Sequence, residues 1–340
     1  MDNFLKKHLE SHPLAQARDA VKFLYQRSFG GGHMITDAAS CRERTAAETA
    51  LAQGTAPHEL LGGGLGRLSL TTARDAGLSP STAADMFIIT ANTHTPDSAA
   101  FHMALSEALP LPGWHDFTVR YKEAGCPSLH HSDAYREAYH PAYRVVRSAF
   151  IALVPLAAAI DRALMEQEFV TVAVDGPCGS GKSSLAGSLA ELYSGNLFHT
   201  DDFFPQPHQR GDGRLDIPGG NLDHERLLEQ VFIPLSLGHA VSAQKFSCSR
   251  MALSAPAEYP IRRVNIVEGS YSLHPSFRAY ADIKAFVSVS GGTQRSRILR
   301  RGDDYEVFRT LWIPLENKYF DACRVKNAAD VIIDNEEDDR

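Results

Sequence analysis

Cysteine is scarce and irregularly placed: Cys41, Cys126, Cys178, Cys248 and Cys323 are odd in number and never form a C-x-x-C pair. Such a set argues against a disulfide framework or a cysteine zinc site and fits reduced thiols in a cytosol. A basic surplus is also lacking. With 34 Lys and Arg against 41 Asp and Glu the formal charge is −7, and the isoelectric point is near 6.1. No nucleic-acid partner is therefore expected, because such partners select a positive footprint. The longest apolar run, Ala149 to Ile160, is broken by Pro155. It falls short of the roughly 20 residues a membrane span needs and reads as a buried helix, so no membrane partner is expected. The opening MDNFLKKHLE has no apolar signal core, which adds to the expectation of a cytoplasmic protein.

The chain has 340 residues, 44% of them hydrophobic, which suits two domains with sizeable cores. Its pattern changes near residue 167. Before that point helical spacing dominates, as in Leu14, Ala17, Val21, Leu24 and Tyr25, with Pro13 placed to open a helix. Further helices are predicted around 38–53, 83–92, 98–108, 132–139 and 142–166. Breaks fall at Gly30–Gly32, Gly62–Gly64 and Leu109–Gly113. Residues 1–166 are thus expected to form a mostly α-helical domain. After it, short β-rich runs alternate with amphipathic segments. Strands are predicted at Val170–Val174, Leu197–His199, Val264–Val267, Ile283–Val289 and Val331–Ile333. This alternation predicts an α/β domain over 167–334, a parallel sheet flanked by helices. Residues 335–340, NEEDDR, read as an acidic tail.

The strongest motif is Gly176-Pro177-Cys178-Gly179-Ser180-Gly181-Lys182-Ser183, a full G-x-x-x-x-G-K-S between a predicted strand and a predicted helix. Glycines let backbone N–H groups converge on phosphate oxygens, and the helix N-terminus adds positive potential. The expected P-loop NTPase cofactors are ATP and Mg²⁺. Gly176, Cys178, Gly179, Ser180, Gly181, Lys182, Ser183 and Ser184 are expected to line the nucleotide, with Lys182 at the β- and γ-phosphates and the Ser183 hydroxyl on the metal. Cys178, near a helix N-terminus and Lys182, is either a small loop residue or a reactive thiol.

The next predicted strand ends in His199-Thr200-Asp201-Asp202-Phe203-Phe204. A carboxylate there can take a proton from a substrate hydroxyl. This D-x-F-[FY] segment resembles the uridine kinase and phosphoribulokinase family of P-loop kinases, and the resemblance implies that Asp201 is the catalytic base. Asn221-Leu222-Asp223-His224-Glu225 resembles the family's N-F-D-H-P segment, which implies that Asp223 holds ribose hydroxyls. Val264–Gly269 is similar to the family's strand ending in E-G, which implies that Glu268 stands beside the metal. In Thr293–Arg301 the resemblance implies a lid whose Arg297 and Arg300, three apart on one helix face, clamp phosphates. Trp312–Phe320 and Ala328–Asp334 also resemble family segments. The resemblance covers roughly 168–334.

One departure concerns the base-binding Y-D-F segment, where this chain has Lys245-Phe246-Ser247-Cys248. Phe246 can replace the Tyr, but the second aromatic is missing. The resemblance thus implies transfer of a γ-phosphoryl group to a small-molecule hydroxyl, with a uridine-like nucleoside as the leading acceptor. A phosphosugar or vitamin precursor, or an ATP-binding regulator without an acceptor, stay open, as does a homo-oligomer. Val289–Arg295 looks like the signature loop of ABC ATPases, but no strand ending in Asp-Glu follows it, and no N-K-x-D guanine motif exists.

The N-terminal half carries His33, His94, His102, His115, His130, His131 and His140. No H-x-x-x-H or C-x-x-C pair lies beside His130-His131, so ordinary histidines are expected there. Residues 12–35 and 121–145 resemble segments that accompany uridine-kinase-like domains in some bacterial proteins, which implies no activity.

Overall fold

The computed structural model describes residues 2–211 and 213–336. Of the expected acidic tail, Asn335 and Glu336 are described, and 337–340 lie outside. The chain divides between Val154 and Pro155 into two compact units.

The first unit carries α1 (Asn3–Ser11), α2 (Ala17–Phe29), α3 (Ala38–Leu51), β1 (Glu59–Gly62), β2 (Leu65–Ser69), α4 (Leu70–Asp75), α5 (Pro80–Thr93), α6 (Ser98–Ser106), α7 (Trp114–Glu123), α8 (Asp133–Tyr139) and β3 (Tyr143–Arg147). Local chemistry starts several of the helices. Asp2, Asp37, Ser79, Asp97 and Ser132 each accept a first-turn N–H through the side chain, which satisfies donors the helix cannot. Phe23, Leu24, Leu61, Phe101 and Trp114 share one core cluster.

Sequence patterning misses the three-stranded antiparallel sheet β1-β2-β3 here. The helix expected over 142–166 begins only at Ser148, because Tyr143–Arg147 pairs with Leu65–Ser69. Those five residues are aromatic or β-branched apart from two arginines, which suits a pleated surface. The partner lies far off in sequence, and Gly62–Gly64, read as a break, is the turn joining β1 to β2.

The helix α9 (Ser148–Glu166) contains the division between the units. Among the described residues it alone is long and apolar enough to cross a membrane. Phe150, Leu153, Leu156, Ala157 and Ile160 along it are at most 1% exposed.

The second unit is built on β4 (Val170–Asp175), β5 (Asn196–His199), β10 (Val264–Glu268), β11 (Ile283–Ser288) and β12 (Val331–Asp334), with α10 (Lys182–Tyr193) after β4. Between β5 and β10 lie α11 (His224–Leu227), α12 (Ile233–Ser236) and the short pairs β6 (Val241–Ala243) with β9 (Ala257–Tyr259) and β7 (Phe246–Ser247) with β8 (Ala252–Leu253). After β11 come α13 (Gly291–Arg300), α14 (Tyr305–Val307), α15 (Ile313–Cys323) and α16 (Val325–Ala328).

The large strands pair in the order β12-β11-β4-β10-β5, and every pair is parallel. All residues of β4 and β10 are buried, the mark of a parallel sheet covered on both faces. The five predicted strands are these five, within one or two residues. The chain leaves β4 for the β5 edge, returns to β10, then crosses to β11 on the other side. Such a switch point opens a ligand crevice at the carboxyl ends of the strands. Register places Glu268 opposite Val174 on one side and His199 on the other. The carboxyl ends of β4, β5 and β10 thereby meet.

Candidate active site

The phosphate loop runs from the end of β4 to the start of α10. Gly176 has φ 150° and Gly181 φ 85°, conformations that favour glycine. A methyl at Gly176 would also stand 2.4 Å from the Val287 carbonyl oxygen. The i→i−4 ladder of α10 opens with the bond from Leu185 N–H to Gly181 O, at 3.1 Å. The amides of Lys182, Ser183 and Ser184 precede it and lack such a partner, as first-turn amides must. They form the anion-binding end of the helix. Ser180 Oγ is buried with no partner among the described residues. Lys182 Nζ lies 3.4 Å from the Pro177 carbonyl, folded onto its own loop.

Three strand ends supply the remaining polar groups. Ser183 Oγ donates to Glu268 Oε2 at 3.1 Å. These two oxygens, buried on the Glu268 side, fit a hard cation such as Mg²⁺. His199 bonds the other Glu268 oxygen, and that bond raises the imidazole above its usual range. Asp201 follows β5 in a 3₁₀ turn. It is exposed on one side, yet surrounding protein desolvates the carboxyl enough to raise it, with Lys182 pulling the other way. A raised carboxylate is a stronger base. Asp202 is instead engaged by Lys245 Nζ at 2.8 Å.

Two buried carboxylates that motif reading overlooked brace this loop. Asp175, 0% exposed, accepts from the N–H groups of Gly176 (2.7 Å), Tyr271 (3.2 Å) and Leu273 (2.9 Å) and from Tyr319 Oη (2.8 Å). Burial outweighs these bonds and pushes its carboxyl up to about 6. Glu316 accepts from Cys178 N–H (2.9 Å) and Ser270 Oγ (2.6 Å). A polar residue ending an apolar strand, and a glutamate in the helical segment after α13, were the available signals. Burial, and then Glu316, push the Cys178 thiol up to about 12. Loss of solvent and the nearby carboxylate outweigh Lys182, a balance opposite to the one a reactive thiol needs.

Three residues with expected ligand roles have protein partners in this structure. Arg297 packs against the phosphate loop itself. Its guanidinium donates to Ser180 O (3.0 Å) and Asn335 O (2.8 Å), bracing the loop. Asn335 Nδ2 adds a bond to Ser180 O at 2.7 Å. Arg300 is exposed on the same helix. Asp223 is 1% exposed. It caps α11 through the Arg226 N–H (3.2 Å) and bonds Arg226 Nε (3.0 Å) and Gln209 Nε2 (3.1 Å), so both its oxygens are engaged by protein. Phe246 is 6% exposed, with Arg210 lying 5.4 Å over its ring. It is no open stacking face for a base.

No family model matches the chain. Among solved structures it is similar to a possible uridine kinase from Bacillus stearothermophilus, with TM-score 0.40 and 18% identity over 53% of this chain and 99% of that one. It is also similar to a candidate fructose transport system kinase from Silicibacter sp. TM1040, with TM-score 0.38 and 21% identity over 52% and 98%. YFH7 from Saccharomyces cerevisiae aligns at TM-score 0.41 and 13% identity over 56% and 98%. The parallel strand order and the G-x-x-x-x-G-K-S loop between β4 and α10 give the second unit a P-loop NTPase-like α/β fold.

Proposed function

We propose that the second unit transfers the γ-phosphoryl group of MgATP to a hydroxyl of a small molecule. The observation that carries this reading is the meeting of three strand ends, which sets Asp201 beside Lys182, Glu268 and His199. Asp201 would take the proton as the acceptor oxygen bonds to the γ-phosphorus and the bond to the ADP oxygen breaks. Lys182 and Arg300 would neutralise charge on the transferred group. Mg²⁺ at Ser183 and Glu268 would supply further positive charge when bound.

Two cations, Lys245 on Asp202 and Arg210 over Phe246, flank residues expected to meet the acceptor. Together with the engaged Asp223, they favour an anionic acceptor, such as a phosphosugar, over a uridine-like nucleoside. The test is ADP release from MgATP across nucleosides, sugar phosphates and vitamin precursors. One compound should stimulate turnover, and Lys182→Ala should abolish it. Asp201→Asn should still bind ATP but turn over 10²–10⁴-fold more slowly, as for a lost general base. Unchanged turnover in Asp201→Asn overturns the base assignment. ATP binding with no stimulation by any compound favours a regulator.

A further inference from the structure

The first unit contains a polar centre that sequence patterning passed over. His8-Leu9-Glu10-Ser11-His12 is an H-x-x-x-H pair. On α1 and its C-cap this spacing sets both rings on one face, their centroids 4.5 Å apart. Glu59, on β1, meets them: His8 Nδ1 lies 2.5 Å from Glu59 Oε1. Ligand atoms of His8, His12 and Glu59 all fall within 4.8 Å of one another. Among the described residues no other group of three or more His, Cys, Asp and Glu is gathered so closely. His8 is 1% exposed, and its Nε2 has no partner among the described residues. A buried polar atom without a partner is costly.

The surroundings are organised around these ligands. Arg67 Nη1 holds the second Glu59 oxygen, Oε2, at 2.8 Å and leaves Oε1 to face the histidines. Tyr135 stacks on His12 with centroids 5.2 Å apart, and Phe23 lies 4.9 Å from His8. From Arg67 the hydrogen bonds continue through Gln26, Tyr143 and His131 to Asp19. Ligating carboxylates and imidazoles are commonly held by such outer partners.

We propose that His8, His12 and Glu59 bind a divalent transition-metal ion of the zinc class. Two imidazoles and a carboxylate are the donors such an ion takes, and three protein ligands leave a position open for water or a small ligand. The imidazoles discriminate against Mg²⁺, so this centre and the phosphate loop would hold different cations. Binding would break the present His8–Glu59 hydrogen bond and release a proton, because ligating imidazoles and carboxylates must be deprotonated. The guanidinium of Arg67 weakens the site relative to one with an unpaired carboxylate.

The test uses the full chain, stripped with a chelator and titrated with Zn²⁺ and with Co²⁺ as a visible reporter. About one ion per chain should bind, and Co²⁺ should show the intense d–d absorption of a low-coordinate nitrogen and oxygen site. His12→Gln, at the half-buried end of α1, and Glu59→Gln should each weaken binding by about tenfold or more, with circular dichroism unchanged. Lys182→Ala should leave the titration as it is. The proposal is overturned if wild-type protein gives only the aqueous Co²⁺ spectrum or if the histidine and glutamate variants bind as tightly. A thiolate charge-transfer band, placing the ion on cysteine, also overturns it.

Discussion

Replacing Asp175 by Asn should change stability in a way that depends on pH, with a sign set by burial. The carboxyl sits near 6 in the folded chain, against 3.8 for the free group. The folded state therefore holds the proton more tightly than the unfolded state. Its contribution is fully present below about pH 4 and is lost as pH rises through about 6. The shift corresponds to about 3 kcal/mol once both states are ionised. At pH 5 the unfolded group is already ionised, so about half of that remains to be lost between pH 5 and pH 8. Asn has no such titration. It presents an N–H₂ group where Leu273 N–H and Tyr319 Oη now donate, a mismatch costing about 1–3 kcal/mol. The destabilisation by Asp175→Asn should thus be about 1.5 kcal/mol larger at pH 5 than at pH 8. The chain has two tryptophans, Trp114 and Trp312, one in each unit. Urea unfolding followed by Trp312 fluorescence in a Trp114→Phe background reads the second unit alone. Equal costs at the two pH values, or a larger cost at pH 8, would refute the buried-carboxylate argument.

Other changes separate bracing from chemistry. Arg297→Ala removes bonds to Ser180 O and Asn335 O, worth about 1.5–3 kcal/mol for a charged donor; the KM for ATP should rise tenfold or more while kcat falls little. Arg300→Ala should instead lower kcat, and the same split in both variants would contradict the assignment. With its thiol near 12, Cys178 is ionised in about one molecule in ten thousand at pH 8. Brief iodoacetamide treatment read by mass spectrometry should label exposed Cys248 well before Cys178, and Cys178→Ser should leave inactivation unchanged. Equal labelling rates would defeat that expectation.

The phosphate loop was legible in the sequence because its chemistry is local: a strand, six loop residues and a helix start occupy one continuous segment. The five parallel strands were legible too, since burial on both faces leaves short continuous apolar runs. Strand order, and hence the meeting of Glu268 with His199 and Ser183, came only from tertiary pairing. The same holds for β3, whose five residues resemble the start of the helix that follows until β2 pairs with them. Side-chain partners were the least readable. Arg297 and Asp223 occupy motif positions, but their neighbours, Asn335, Arg226 and Gln209, decide what their charged groups touch. Asp175 and Glu316 are far apart in sequence and converge on the loop only when α15 packs beneath it. His8 and His12 could have been seen as a spaced pair, but Glu59 joins them through the placement of β1 against α1. Periodicity records which face of an element is buried. What an individual charge meets there depends on elements distant in sequence, and only the fold brings those together.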